Sequence, residues 1–172
     1  MQNFGETMNI LIMTPCGSES EVLQKHIDSI KSVEHKVSVV FVIDTYTDKA
    51  TREILKRNES ERIFALDIGK SKGLANCYIE GYKYFLKSEY DFIIEMDIDS
   101  HKKEDLLVFL EKIREVHKII FGSRTLGKNE SSVKRRLISK IGTILSRLFL
   151  GLKLSDCTGG FQAFSKEVIE SI

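Results

Sequence analysis

Short apolar runs alternate with longer amphipathic stretches along this chain, and that rhythm leaves few folds open. Asn9–Thr14 (NILIMT) reads as a buried strand and the segment from Glu19 to Lys31 as a helix. Val37–Ile43 (VSVVFVI), dense in β-branched residues, is a second strand, followed by a helix over Asp48–Asn58. Ile63–Leu66 is a weaker third strand, then Ala75–Lys87 a helix. Phe92–Met96 (FIIEM) is a fourth strand, Glu104–Val116 a helix, and Ile119–Phe121 a fifth strand. Near-continuous apolar strands separated by helices of this length indicate parallel βαβ units, with the sheet covered on both faces. The expected class is therefore α/β, a mostly parallel sheet flanked by helices.

Composition narrows the function classes. A chain of 172 residues with 42% apolar and 30% charged residues is an ordinary globular domain, not a disordered segment. One domain over residues 1–172 is expected, with 1–8 flexible and no interdomain linker. Lys+Arg 26 against Asp+Glu 25 leaves a net charge of +1, so no global basic field argues for nucleic-acid binding. No apolar stretch approaches the roughly 20 residues of a membrane helix, and the N-terminus lacks a charged-then-apolar signal pattern. Cys16, Cys77 and Cys157 are widely spaced and odd in number. They form neither a disulfide framework nor a zinc signature, which fits a reducing cytoplasm.

In open α/β sheets the ligand crevice lies outside the carboxyl ends of the strands, and four such loops carry unusual residues. Pro15 to Glu19 follow the first strand, Asp44 to Asp48 the second, Asp97 to His101 the fourth, and Gly122 to Arg124 the fifth. Asp97 and Asp99 alternate at the end of a buried strand, so both can point into one crevice. Two carboxylates there repel unless a cation sits between them. A hard cation such as Mg2+ or Mn2+, shared with a diphosphate, would satisfy them. The competing reading is that Asp99 and Ser100 merely start the next helix. Asp44 can accept hydrogen bonds from a base or ribose, whereas Asp48 is better read as a helix cap.

Gly69-Lys70-Ser71-Lys72-Gly73 opens a helix with backbone N–H and ammonium groups suited to an anion, or is a plain Gly-rich turn. Arg124, Lys134, Arg135, Arg136, Lys140 and Arg147 concentrate positive charge that the net figure conceals. Val133–Leu150 keeps apolar residues at helical spacing. A basic amphipathic helix of this kind can lie at an anionic membrane surface, or pack into a core with a solvated basic face. Asp156 beside Gly159 and Gly160 can bring backbone close to a ligand or simply cap a turn. His101 could add a metal ligand or start a helix, and His26, His35 and His117 show no ligand spacing.

Taken in order, these loops resemble family 2 glycosyltransferases of the GT-A (Rossmann-like, nucleotide-diphosphosugar transferase) fold, in particular the dolichyl-phosphate mannose synthase and polyprenyl-phosphate sugar synthase branch. The resemblance runs from about Asn9 to Lys166. Pro15 and Glu19 match the ends of a P-x-Y-N-E loop, and Asp44, Thr47 and Asp48 a D-D-x-S-x-D segment in which Thr45 replaces the second Asp. Gly73, Leu74, Tyr78 and Gly81 match G-L-G-x-A-Y-x-x-G, and Asp97 and Asp99 the D-x-D metal motif. Gly122-Ser123-Arg124 matches a G-S-R loop. Arg135, Arg136 and Ser139 match R-R-x-x-S, and Asp156, Thr158, Gly160 and Phe161 match D-x-T-S-G-F-R, with Gln162 in place of its Arg. Relatives usually continue with further sheet and helix elements, so a C-terminally truncated domain is expected, with 125–172 on the acceptor side.

The resemblance implies transfer of a hexose, with inversion, from a GDP- or UDP-sugar to a polyprenyl phosphate. It implies Mg2+ or Mn2+ held directly by Asp99, with Asp97 on the metal or the ribose. Pro15, Glu19, Asp44, Lys72 and Gly73 would bind the nucleotide-sugar, and Arg124, Arg135, Arg136 and Ser139 the acceptor phosphate. A lipid-linked acceptor would bring the protein peripherally to the cytoplasmic face of the membrane. A sugar-hydroxyl acceptor in cell-surface polysaccharide synthesis would instead need a base, for which Asp156 is the nearest candidate. A catalytically silent nucleotide-binding module and a phosphoryl-transfer or receiver domain are the alternatives from other classes. The latter needs its key Asp on an early strand, and here the paired Asp residues follow the fourth.

Overall fold

A computed structural model describes residues 8–33, 37–70, 73–99, 102–115, 117–123 and 160–171. The elements in chain order are β1 (Ile10–Pro15), α1 (Ser20–Lys31), β2 (Val37–Ile43), α2 (Lys49–Asn58), β3 (Ile63–Asp67), α3 (Leu74–Lys87), β4 (Phe92–Glu95), α4 (Lys103–Arg114), β5 (Ile119–Phe121), β6 (Gln162–Ser165) and α5 (Lys166–Glu170). The six strands form one sheet in the order β3-β2-β1-β4-β6-β5.

β1 runs parallel to both β2 and β4, pairing Ile12 with Val39 on one side and with Ile94 on the other. β1, β2 and β4 are buried on both faces, which is why the sequence shows apolar runs there instead of alternation. Ile12, Val39, Phe41 and Ile94 face a layer built from Leu23 and Ile27 of α1, Ile54 of α2, and Leu106 and Leu110 of α4. Leu11, Met13, Val40, Val42 and Ile93 face the other way, onto Cys77 and Phe85 of α3. The result is three layers. Full burial of one such side chain, Phe41 for example, contributes about 1.5–3 kcal/mol.

Chain direction along the sheet reverses its order at β1. The first three strands step outward to one edge and β4 lies on the opposite side, so the β1/β4 boundary is the topological switch point where a crevice opens.

Among the described residues the observed elements match the expected ones within two residues at each end, with two additions, β6 and the short α5. The amphipathic segment Val133–Leu150 lies outside the described residues. β6 follows the Gly159-Gly160 pair and inserts between β4 and β5, antiparallel to both. It was not legible as a strand because it has only four residues, and alternation over four residues carries little signal. Its insertion means that β5 does not pair with β4 directly. No helix among the described residues is long and apolar enough to cross a membrane.

Candidate active site

The loops at the carboxyl ends of β1, β2 and β3 are tied to one another. Between the β1 and β2 loops, the Thr47 hydroxyl donates to the Cys16 carbonyl at 2.7 Å and the Ser18 hydroxyl donates to Asp48. Between the β2 and β3 loops, the Thr45 N–H donates to the Gly69 carbonyl at 3.1 Å. Arg52 of α2 reinforces that link. Its guanidinium donates to the carbonyls of Asp44 and Thr47 and to the Asp67 carboxylate, the last at 2.6 Å.

Within this frame the candidate nucleotide residues have defined local roles. Pro15 is the last residue of β1, opposite Val42. Glu19 occupies the N-cap position of α1, and its carboxylate turns back to accept the Gly17 N–H, closing its own loop. Burial pushes the adjacent Cys16 thiol up, and the Glu19 carboxylate adds to the effect. Asp44 is buried, and its Oδ1 accepts the Tyr46 N–H at 2.8 Å, the geometry of an Asx turn. Cys77 at the start of α3 is pushed up by burial and then by Asp44, which places that carboxylate beside the opening of α3. Asp48 caps α2 by accepting the Thr51 N–H at 2.7 Å, as its sequence position suggested.

Gly73 is the N-cap of α3 with φ of 90° and ψ of 174°, a conformation that excludes side chains, and no side chain caps the helix there. A helix opening without a side-chain cap is a place where backbone N–H groups and the helix dipole suit an anion.

Asp97 leaves β4 at the switch point. The Tyr78 hydroxyl of α3 hydrogen-bonds it, and the Tyr78 phenol is pushed up by burial first and by Asp97 second. Gly160 lies close by, where a β-carbon would fall 2.9 Å from Asp97 Oδ2. Asp99 is exposed, two residues farther along the loop. It does not start the next helix. α4 begins after Lys102, and Asp105 accepts the Lys102 N–H at 3.1 Å. Among the described residues no group of three or more His, Cys, Asp or Glu side chains could hold a metal ion. β4 ends at Glu95 and Asp99 sits in an exposed turn, so strand alternation does not set the two carboxylates on one face as expected. One or two carboxylates of such a loop still fit Mg2+ or Mn2+, which complete their shell with water and phosphate.

Sequence reasoning missed Glu95. It is 6% exposed, and its two oxygens accept hydrogen bonds from the Tyr82 hydroxyl of α3 and the Gln162 amide of β6, each at 2.5 Å. Burial raises its carboxyl above the usual carboxylate range, while those two hydrogen bonds pull the other way. The available signal was a lone acid inside an otherwise apolar strand, facing tyrosines spaced i, i+4. The remaining expected site residues, Lys72, Arg124, Arg135, Arg136, Ser139 and Asp156, lie outside the described residues, as do Ser100 and His101.

Comparison with known proteins bears on this arrangement. A family model described as glycosyl transferase family 2 matches residues 11–172. Undecaprenyl-phosphate mannosyltransferase of Micrococcus luteus is 29% identical over 170 residues, covering 96% of this chain and 70% of the relative. Polyprenol monophosphomannose synthase of Mycolicibacterium smegmatis is 28% identical over 172 residues, covering 96% of this chain but 65% of the relative. The glucosyl-3-phosphoglycerate synthase of Mycobacterium tuberculosis, solved with Mn2+, UDP and phosphoglyceric acid, superposes with a TM-score of 0.69 at 14% identity, covering 96% of this chain and 61% of that one. The shared fold is GT-A.

Proposed function

Because this chain belongs to glycosyl transferase family 2, its family model running from residue 11 to 172, we propose that it moves a hexose from a nucleotide-diphosphosugar to a polyprenyl phosphate with inversion at the sugar. The observation that carries the proposal is Asp97 just beyond β4 at the switch point, hydrogen-bonded by Tyr78 and approached so closely by Gly160 that a side chain there would meet its carboxylate. The polyprenyl acceptor is supported by the names of the two curated relatives. A GDP- or UDP-sugar donor is supported by the anion-suited opening of α3 beside Asp44.

In this reading Pro15, Glu19 and Asp44 shape the nucleoside pocket. Lys72 and the backbone after Gly73 face the diphosphate. Asp97 and Asp99 would hold Mg2+ or Mn2+, which would offset the negative charge growing on the leaving diphosphate. Arg124, Arg135, Arg136 and Ser139 grip the acceptor phosphate, arginine suiting a bidentate grip better than lysine. A phosphate oxygen is already ionised near pH 7, so attack on the sugar needs no strong protein base. Asp156 would take the proton if the acceptor were a sugar hydroxyl. A polyprenyl-phosphate acceptor would also bring the protein peripherally to a membrane surface.

The test is a transfer assay with GDP-mannose and UDP-glucose, each with Mn2+, offered undecaprenyl phosphate or an oligosaccharide. Labelled sugar appearing on undecaprenyl phosphate, and lost with EDTA, is the expected result. Transfer to the oligosaccharide alone would refute the acceptor assignment. Binding of nucleotide without transfer to either would leave a silent module as the answer.

A further inference from the structure

Two rungs of polar contacts cross three elements beside the donor site. Tyr82 of α3, Glu95 of β4 and Gln162 of β6 form the lower rung, with Glu95 and Gln162 directly paired in the antiparallel register. Tyr78, Asp97 and Gly160 form the upper rung, one helical turn and one strand repeat farther on. The two rungs share a geometry because i, i+4 on a helix and i, i+2 on a strand each return to the same face. They differ in one respect. The lower rung is closed by an amide on β6, whereas the upper one ends at a glycine.

A buried carboxylate is a cost at this position. Ile93 on the same face of β4 is fully buried among apolar groups, and an apolar residue in place of Glu95 would avoid desolvating a charge. What the carboxylate supplies instead is direction, since both of its oxygens are fixed from opposite sides.

We propose that Glu95 is a positioning residue for Asp97: clamped between Tyr82 and Gln162, it fixes the end of β4 and with it the direction of the Asp97 carboxylate as a ligand of a divalent cation. This rests on the reading of Asp97 as a donor-site ligand. Glu95 touches neither donor nor acceptor and acts through the strand end it anchors.

The test measures Mn2+ affinity in the presence of GDP by calorimetry on the full chain, alongside thermal melting. Glu95→Leu removes both hydrogen bonds at similar volume. Glu95→Gln keeps both once the Gln162 amide turns its oxygen toward the new NH2 group. The expected result is a folded Glu95→Leu protein that has lost about tenfold or more in Mn2+ affinity, with Glu95→Gln within about twofold of the parent. A purely packing role would lower the melting temperature and leave the Mn2+ affinity of the folded protein unchanged. Should Glu95→Leu not fold, Tyr82→Phe removes a single hydroxyl and is expected to weaken Mn2+ binding by severalfold. Parental Mn2+ affinity in a folded Glu95→Leu or in Tyr82→Phe overturns the proposal. So does an equal loss in Glu95→Gln, which would implicate charge instead of position. Asp97→Ala separates the two levels of the argument. If it loses Mn2+ affinity and Glu95→Leu does not, the positioning role alone fails. If Asp97→Ala keeps that affinity, the donor-site assignment falls and takes the positioning role with it.

Discussion

Gly160 lies so close to Asp97 that a β-carbon at position 160 would sit 2.9 Å from the Asp97 Oδ2. The atom it would meet is the end of a side chain, so Asp97 can rotate away and the backbone need not move. Gly160→Ala is therefore expected to fold normally, with a melting temperature close to the parent, while its Mn2+-dependent binding of GDP-mannose weakens severalfold. Calorimetry with and without Mn2+ checks this. Unchanged Mn2+ dependence would show that the Asp97 carboxylate is not aimed at the cation.

Asp99 and Arg124 should separate donor from acceptor. Asp99 is exposed and neither belongs to nor caps a described helix or strand, so Asp99→Ala is expected to leave the fold intact. Its transfer activity is expected to disappear. Arg124→Ala is expected to raise the KM for undecaprenyl phosphate far more than the KM for the nucleotide sugar. Steady-state kinetics with each substrate varied in turn decides both cases. Metal-dependent turnover surviving in Asp99→Ala, or equal KM increases in Arg124→Ala, would refute the respective roles.

How much of this was legible beforehand differs between the frame and the site. Val37–Ile43 and Ile119–Phe121 were readable to the residue, because β-branched runs bounded by polar turns have few other solutions. Asp97, Asp44 and Gly73 were readable as site candidates, because they stand at strand exits or a helix opening in a fold whose crevice is there by topology. The lower rung was hidden. Glu95 reads as part of an apolar strand, and its partners Tyr82 and Gln162 lie 13 and 67 residues away in sequence. Contacts of that range follow from the register of β6 on β4, and β6 is too short to announce itself.

Gly81 tests the packing of α3 on the sheet. A β-carbon there would fall 2.0 Å from the sulfur of Met13 and 3.1 Å from its Cγ, and Met13 is fully buried. Alanine at a helix interior normally gains about 1 kcal/mol over glycine. Here the overpacking, typically 1–3 kcal/mol, is expected to outweigh that gain, so Gly81→Ala should lower the urea midpoint. A higher midpoint would mean that α3 sits farther from β1 than the structure has it.

Arg52 connects stability at low pH to the shape of the nucleotide pocket. The Asp67 carboxyl is held below the usual carboxylate range, first by its hydrogen bond from Arg52 and then by the Gly69 N–H. Its folded pKa thus lies below the unfolded value of about 3.9. The stability it contributes is fully present above that unfolded value and is lost as pH falls through the depressed folded one. Both partners are well exposed, at 34% and 49%, so solvent screening limits the pair to at most about 1 kcal/mol. Asp67→Asn should flatten the fall in urea midpoint between about pH 5 and pH 2.5, where this linkage acts, and added salt should shrink the difference from the parent. Asp67→Asn leaves Arg52 its bonds to the carbonyls of Asp44 and Thr47, so the donor KM should change little. Arg52→Ala removes those bonds as well, and is expected to raise the donor KM severalfold with the acceptor KM unchanged. Equal donor KM values in the two variants would show that the Asp44–Thr47 turn keeps its shape without the guanidinium.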